Sequence, residues 1–252
     1  MSRMNRRSFA SGLMAAVSFG PGLARADRGA PLAASGASFV CDGREARLID
    51  VLAPALGPVT NEPYAEKARK ALQDLLASGE LVLEDAAPVD RWGRRIVRAH
   101  IAQEGAPRRD IQAALVAQGA LRVRPESADD TIILGLLALE AEARKAQRGL
   151  WAISRYRAYD ADDARGAVGA FNLVQGTVMN AATGKGRVYL NFGSDYRQDF
   201  TITASTRLAR QWKKQGVDLT TLAGAKLRAR GHVAWINGPS IDLTHPRQIE
   251  IL

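Results

Sequence analysis

Cysteine is almost absent from this chain of 252 residues: Cys41 is the single one, so no internal disulfide can form. Histidine is nearly as rare, and neither His232 nor His245 has a cysteine or histidine neighbour at metal-ligand spacing. Aromatic residues make up 6% of the chain, and no apolar run is long enough to span a bilayer stably. We therefore predict a protein that packing stabilises, with no metal site.

The first 26 residues are typical of an export signal. Arg6-Arg7 lie in a run, residues 5–9, that resembles a twin-arginine signal, which exports proteins already folded. A short apolar stretch follows, and Ala24-Arg25-Ala26 forms a small-x-small cleavage site. We predict cleavage before Asp27 and a periplasmic or secreted protein with no membrane anchoring afterwards. The alternative is an N-terminal stretch that stays in the lipid as an anchor.

The positive charge of the chain lies mainly in its C-terminal part. The signal carries four arginines and no acidic residue, so the formal charge of +9 falls to 9 − 4 = +5 after cleavage. Residues 153–252 hold 14 basic and 8 acidic residues, whereas residues 27–152 hold 17 and 18. A partner that carries phosphates is therefore expected to meet the C-terminal part first.

Turn signals and periodicity divide the rest of the chain into two small domains. In the first, two apolar runs flank Asp42-Gly43 as a hairpin, and Pro54 ends the second run. A helix capped by Asn61 follows, then strands around a turn at Asp90–Arg95, then two helices; this order predicts a small closed sheet with packed helices. The predicted boundaries are a linker or weak edge strand at 27–37, a domain at 38–152, a linker at 153–169 and a domain at 170–252.

Residues 36–152 resemble the staphylococcal-nuclease-like, or thermonuclease, domain. The matching segments occur in the family's order and approximate spacing. They are Asp42-Gly43-Arg44-Glu45-Ala46-Arg47-Leu48-Ile49, Asp90-Arg91-Trp92-Gly93-Arg94, Leu115-Val116-Ala117-Gln118-Gly119, Glu140-Ala141-Glu142-Ala143-Arg144 and Gly149-Leu150-Trp151. The resemblance implies a mainly β fold with α-helices (α+β): a nuclease-like OB barrel with packed helices.

The resemblance also implies an enzyme that hydrolyses phosphodiester bonds with calcium, a carboxylate base and two arginines. Arg47 and Arg94 fall on the two arginine positions. The family's Asp-Gly-Asp-Thr strand reads Ala34-Ser35-Gly36-Ala37 here, and its Asp-Thr/Ala-Pro-Glu run reads Leu52-Ala53-Pro54-Ala55. Three ligand or base positions have thus become Gly, Leu and Ala, so we expect no calcium cofactor.

Nearby residues offer no clear replacement for the missing carboxylates. Asp50 is three residues from Arg47, and strand alternation predicts that it points to the opposite face. Glu45 shares a face with Arg47 and is the expected charge partner of that arginine. Arg47 with Glu45, and Arg94 with Asp90, are either ordinary salt bridges or parts of a retained anion site. His100 and Trp92 are interpreted as structural, Trp92 by packing at the turn.

The C-terminal part reads as three strands, a helix and two further strands, which is the order of an OB-type Greek-key barrel. Its segments are similar to the module that follows some bacterial thermonuclease-like domains, which implies a second small OB-like β-barrel. Arg187 and Tyr189 share one strand face, as expected of a groove that stacks bases between cations. The predicted nucleic-acid-binding residues are Arg187, Tyr189, Arg197, Lys226, Arg228 and Arg230. Alternatively, these cations form a solvated face and the tyrosine fills the mouth of the barrel.

The sequence therefore favours an exported, thermonuclease-like protein that binds nucleic acid or another polyanion without hydrolysing it. One alternative is an active secreted phosphodiesterase with non-standard catalytic residues. The other is a periplasmic scaffold for protein interactions.

Overall fold

A computed structural model describes residues 29–195 and 197–252. The predicted export signal and Tyr196 lie outside the described residues. Within the described part of the chain, no helix is both long and apolar enough to cross a membrane. The predicted fold class, mainly β with packed helices, is confirmed.

The N-terminal half folds around a six-stranded sheet with the order β1-β2-β3-β6-β5, and β7 pairs with β6. A separate two-stranded ladder joins β4 to β8. The strands are β1 (Leu32–Ala33), β2 (Ser38–Cys41), β3 (Arg44–Leu48), β4 (Val51–Leu52), β5 (Glu80–Ala87), β6 (Arg95–Gln103), β7 (Ala106–Asp110) and β8 (Arg122–Val123), and the helices are α1 (Ala65–Leu76), α2 (Ile111–Ala117) and α3 (Asp130–Lys145).

The predicted hairpin is confirmed: β2 and β3 are antiparallel, and the turn residues Asp42 and Gly43 both have positive φ, at 52° and 70°. The strand ends earlier than predicted because Asp50 adopts a left-handed conformation at φ 63°. The chain turns there and passes into β4. β3 lies parallel to β6, with Ala46 opposite Arg95. This register brings Arg47 and Arg94 to the same region of the sheet.

Helix α1 buries the predicted apolar face, which consists of Ala68, Leu72, Leu75 and Leu76. The predicted cap is wrong, because Tyr64 rather than Asn61 precedes the first turn, at φ 73° and with no side-chain cap. The sequence predicts an apolar stripe of Ile132, Leu136, Leu139 and Ala143 on α3, and the buried face is rotated relative to it. The buried face is formed by Ile133, Leu136, Leu137, Glu140 and Ala143.

The C-terminal half is an eight-stranded sheet with the order β11-β12-β13-β15-β14-β10-β9, and β16 pairs with β14. β11 lies at one end of this order and β10 lies near the other, yet only Val178 and Met179 separate them in the chain. The N–H of Val178 donates to the carbonyl of Ala225 next to β14, and the N–H of Met179 donates to the carbonyl of Asn191 on β12. The sheet therefore curls back toward itself. The strands are β9 (Ala158–Asp160), β10 (Phe171–Thr177), β11 (Asn180–Gly184), β12 (Arg187–Asn191), β13 (Thr201–Ser205), β14 (Lys226–Trp235), β15 (Pro239–Asp242) and β16 (Ile249–Ile251), and the helix is α4 (Thr206–Lys214).

The segment predicted as a linker, residues 153–169, is folded. β9 lies parallel to β10, and a 3-10 helix at Ala161–Ala167 follows it. Tyr156 is buried and donates a hydrogen bond from its hydroxyl to the carbonyl of Pro63, at 2.6 Å. Buried apolar positions within a mixed polar stretch hold this segment against both halves.

A buried ion pair joins the two halves of the chain. Arg230 on β14 and Glu140 on α3 are both fully buried, with Nη1 of Arg230 2.6 Å from Oε2 of Glu140. Glu250 pairs with the other terminal nitrogen of Arg230, and Glu140 also accepts the backbone N–H of Val123 at 2.7 Å. Burial acts to lower the pKa of Arg230, but Glu140 and Glu250 outweigh it and raise that pKa. The buried face of α3 therefore includes Glu140, which pairs with the other half of the chain. This explains why the buried face differs from the predicted apolar stripe.

Candidate functional site

A pocket of about 350 Å³ opens where the hairpin, the Pro54 loop, the Asp90 turn and the loop after β8 meet. Both arginines that the sequence singles out line it, together with a third, Arg124, that the sequence reasoning missed. The lining residues are Ser35, Ala37, Ser38, Arg47, Val51, Leu52, Ala53, Pro54, Ala55, Leu56, Asp90, Trp92, Arg94, Arg124 and Glu126.

Each arginine of the pocket contacts a carboxylate. Glu126 lies between Arg47 and Arg124, with one oxygen 2.8 Å from each guanidinium. Arg94 pairs with Asp90 at 2.8 Å, as predicted. The predicted pair of Arg47 with Glu45 is wrong, because the parallel register places Glu45 beside Arg94, at 3.6 Å.

Asp50 holds the loop that carries Arg124 and Glu126 through hydrogen bonds to the backbone of the loop. The fully buried Asp50 carboxylate accepts the backbone N–H groups of Glu126 and Ser127, each at 2.8 Å, and the Ser127 hydroxyl at 2.7 Å. It also pairs with Arg98 at 2.8 Å. Asp50 therefore positions the loop and cannot reach a substrate. Contacts across 76 residues leave no local pattern in a sequence, which is why Arg124 and Glu126 escaped detection.

Burial and neighbouring charges both act on the guanidinium of Arg124. Burial lowers the pKa of Arg124; Glu126 opposes this effect, and the charges of Arg47 and Arg94 lower the pKa further. At the turn, burial acts to raise the pKa of Asp90, but hydrogen bonds from the backbone of Arg94, its side chain and the backbone of Trp92 hold the pKa below its usual value. The pocket lining thus holds three arginines against two carboxylates, Asp90 and Glu126, and this excess of positive charge favours an incoming anion.

The three positions at which the resemblance implies metal ligands and a base carry no donor side chain. Leu52 and Ala55 line the pocket with apolar groups. A Cβ atom added at Gly36 would lie 2.7 Å from the Cβ of Ala68, so α1 closes this position to any side chain without a shift. Among the described residues, no group of three or more His, Cys, Asp or Glu could hold a metal ion. Calcium takes six to eight oxygen ligands, and this set of side chains does not fit it.

Trp92 lies at the rim of the pocket and is 64% exposed. Its ring packs against two arginines of its own turn but stays largely exposed to solvent. The guanidinium carbons of Arg91 and Arg94 lie 4.0 and 4.9 Å from the centre of its ring. An exposed aromatic ring flanked by cations is the arrangement on which bases stack in single-strand binding. His100 lies outside the pocket lining and approaches Asp110 at 3.8 Å.

A second concave surface, a groove of about 370 Å³, lies in the C-terminal half. Arg187 and Tyr189 both line it, on the outer face of β12, as their alternation predicts. The guanidinium of Arg187 is engaged by Asp242 and by the hydroxyl of Thr203. The groove is lined by Arg187, Tyr189, Asn191, Thr201, Thr203, Ile236, Asn237, Ser240 and Asp242.

The other predicted nucleic-acid-binding residues do not join this groove. Arg230 is fully buried at the junction of the halves, so no nucleic acid can reach it. Arg228 is directed to Gln175 and Glu250, at 3.0 and 3.7 Å. Lys226 is exposed at the start of β14, and Arg197 is exposed in the loop before β13. The positive charge of the C-terminal half is therefore dispersed or compensated rather than gathered in a groove.

Residues 45–153 match the model of the family described as staphylococcal nuclease homologue. A comparison of the chain with curated proteins found no match. The matched range contains all three arginines of the pocket and ends before β9. At the level of the family, this supports a nuclease-like or nucleic-acid-binding function. The chain therefore contains a staphylococcal nuclease homologue domain over residues 45–153.

Proposed function

We propose that this is an exported, thermonuclease-like protein that binds phosphates of nucleic acid, or of another polyanion, without hydrolysing them. The observation that carries the proposal is the convergence of Arg47, Arg94 and Arg124 on an open pocket where no group of three or more described His, Cys, Asp or Glu residues could hold a metal ion. The export part of the proposal rests on the signal-like residues 1–26.

The pocket is suited to hold a phosphate rather than to cleave its ester. A guanidinium fork matches two phosphate oxygens, and Arg47 and Arg94 are already held at 16% and 24% side-chain exposure. Hydrolysis also needs a base to activate water and a group to stabilise the developing charge. Leu52 and Ala55 supply neither, while Trp92 at the rim offers a ring for one base next to the bound phosphate.

Glu126 competes with the ligand for the arginines. Its carboxylate bridges Arg47 and Arg124, so a phosphate must either displace it or bind beside it. Removing this one negative charge is expected to strengthen binding of an anion. The variant Glu126→Gln keeps the shape of the side chain and tests this directly.

The experiment measures binding of labelled single- and double-stranded DNA and RNA to the purified protein by fluorescence anisotropy, over a range of salt concentrations. We expect salt-sensitive binding that Arg94→Ala weakens by roughly ten- to a hundredfold, the value of one charge-assisted hydrogen bond. The salt slope should fall by about one unit for each phosphate that the variant no longer neutralises. Arg95→Ala is the matched control, because Arg95 pairs with Asp85 and does not line the pocket.

The same samples, incubated with calcium or with a chelator, decide between binding and catalysis. We expect no cleavage under either condition. Calcium-dependent cleavage that Arg94→Ala abolishes would overturn the proposal and establish an active phosphodiesterase. In that case Glu126, the carboxylate between two arginines, is the candidate base, and Glu126→Gln should abolish the activity. Neither cleavage nor salt-sensitive binding would leave the scaffold function.

A further inference from the structure

The groove of the C-terminal half is built by strand alternation. Val188, Leu190 and Ile202 point inward and are buried in the core of this half. The residues between them face outward, so the outer surface of β12, β13 and β15 is a continuous polar face. Its side chains are short and carry hydroxyl, amide or carboxylate groups: Asn191, Thr201, Thr203, Ser240 and Asp242.

The charges of the groove cancel. Among its lining residues, Arg187 is the one cation and Asp242 the one anion, and the two pair directly, with Thr203 bonded to both. Binding a phosphate chain requires cations that are free to neutralise it. A guanidinium already paired to a carboxylate would have to give up that partner first. The groove therefore offers a polyanion no net positive charge, whereas the lining of the N-terminal pocket carries three arginines against two carboxylates.

The lining instead matches the chemistry of a sugar. Each sugar hydroxyl both donates and accepts, so it pairs with amide, hydroxyl and guanidinium–carboxylate groups. The carbon–hydrogen face of a sugar ring is apolar and packs against an aromatic ring, which Tyr189 supplies on β12. Ile236, 65% exposed in the turn between β14 and β15, adds an apolar wall. The volume of about 370 Å³ lies within the ~300–1,000 Å³ of small-molecule sites.

We infer that this groove is a second binding site, independent of the phosphate pocket, and that its ligand is a neutral oligosaccharide. Barrels of the OB type, which the C-terminal part resembles in sequence, bind oligosaccharides as well as oligonucleotides, and the neutral, hydroxyl-rich lining favours the former. Tyr189 stacks on a sugar ring, while Asn191 and the pair of Arg187 with Asp242 bond to its hydroxyls.

The test uses the purified full-length protein and neutral oligosaccharides of glucose, mannose and N-acetylglucosamine, with saturation-transfer NMR and titration calorimetry. We expect at least one of them to bind, with little dependence on salt. Tyr189→Ala should weaken binding by about tenfold or more, and so should Asn191→Ala, which leaves the core untouched. Arg228→Ala is the matched control, because Arg228 lies in the same half but outside the groove.

Thermal unfolding of each variant separates a loss of binding from a loss of fold. Absence of binding by every oligosaccharide at millimolar concentration would overturn the inference. It would also be overturned if short single-stranded oligothymidine bound instead, and Tyr189→Ala but not Arg94→Ala weakened it. Because Arg94→Ala disables only the phosphate pocket, failure of the sugar site and failure of the proposed function are distinguishable.

Discussion

The pocket of the N-terminal half and the groove of the C-terminal half have similar sizes, about 350 and 370 Å³, but different charge balances: three arginines against two carboxylates in the pocket, and one against one in the groove. Three arginines share the pocket, and the pKa of Arg124 is lowered mainly by burial, with smaller contributions from the charges of Arg47 and Arg94. In the groove, one arginine is neutralised by one aspartate. The more basic half of the sequence thus holds the less basic surface. The charge of a site is set by which carboxylates reach its arginines, and the residue count of a half does not reveal that.

The largest expected effect comes from the arginine that contributes charge to neither surface. Arg230→Ala leaves Glu140 and Glu250 without their buried partner, so we expect the free energy of unfolding to fall by about 3–5 kcal/mol. Urea denaturation measures this. A loss below about 1 kcal/mol would show that Arg230 is accessible to solvent, and the comparison of the two halves would then fail.

The next largest effect concerns Asp50, which positions the loop that carries Arg124 in the pocket. Asp50→Asn weakens the bonds to the backbone of Glu126 and Ser127, and should lower the free energy of unfolding by about 2 kcal/mol. Anion affinity should fall as well, because Arg124 loses its position. The control Asp85→Asn removes only an exposed pair with Arg95 and should cost less than about 1 kcal/mol. Equal effects of the two variants would contradict the role assigned to Asp50.

A smaller effect is expected from removing the negative charge of the groove, which would leave the groove with an excess positive charge like that of the pocket. Asp242→Asn frees the guanidinium of Arg187 while keeping the shape of its partner. We expect the salt slope for single-stranded DNA to steepen by up to about 0.7, the contribution of one phosphate contact, and sugar binding to weaken. Anisotropy titrations at several salt concentrations measure the slope. An unchanged slope would mean that the charge of this groove does not depend on Asp242.

The smallest effect concerns the junction between the two regions. Burial raises the pKa of Tyr156 to about 12, and the charge of Glu62 adds to it. A raised pKa means that this tyrosine contributes stability below about pH 10 that is lost as the pH rises toward 12. Tyr156→Phe should cost about 1 kcal/mol at neutral pH, because the hydrogen bond to Pro63 is removed. The difference from the unsubstituted protein should shrink between these pH values, and a constant difference would contradict it.

Local patterns predicted most of the fold. The Asp42-Gly43 turn and the apolar face of α1 follow from neighbours a few residues apart. Five strands were predicted in the C-terminal half, but the structure has eight: β9 lies in the segment predicted as a linker, and β11 and β16 were missed. What failed depends on distant contacts: the burial of Arg230 and of Glu140 requires the other half of the chain. No periodicity in α3 alone could reveal that a glutamate faces the core.

The residues of the candidate site also fall into two groups: those found from local motifs and those that depend on distant contacts. Arg47 and Arg94 were found because each lies in a contiguous motif. Arg124 and Glu126 reach the pocket through a loop held by Asp50, a contact that no motif encodes. The assignment of Arg228 and Arg230 to a groove failed because their partners, Glu140, Gln175 and Glu250, lie far away in the chain.

The pair of Glu140 with Arg230 spans 90 residues, and this separation has a consequence for synthesis of the protein. At the ~5–20 residues per second of translation, α3 is synthesised several seconds before β14, the strand that carries Arg230. During that time the nuclease-like half presents a carboxylate on a surface meant to be buried, with Arg144 of the same helix 3.8 Å away. The last strands, which bring Arg230 and Glu250, complete both halves at once.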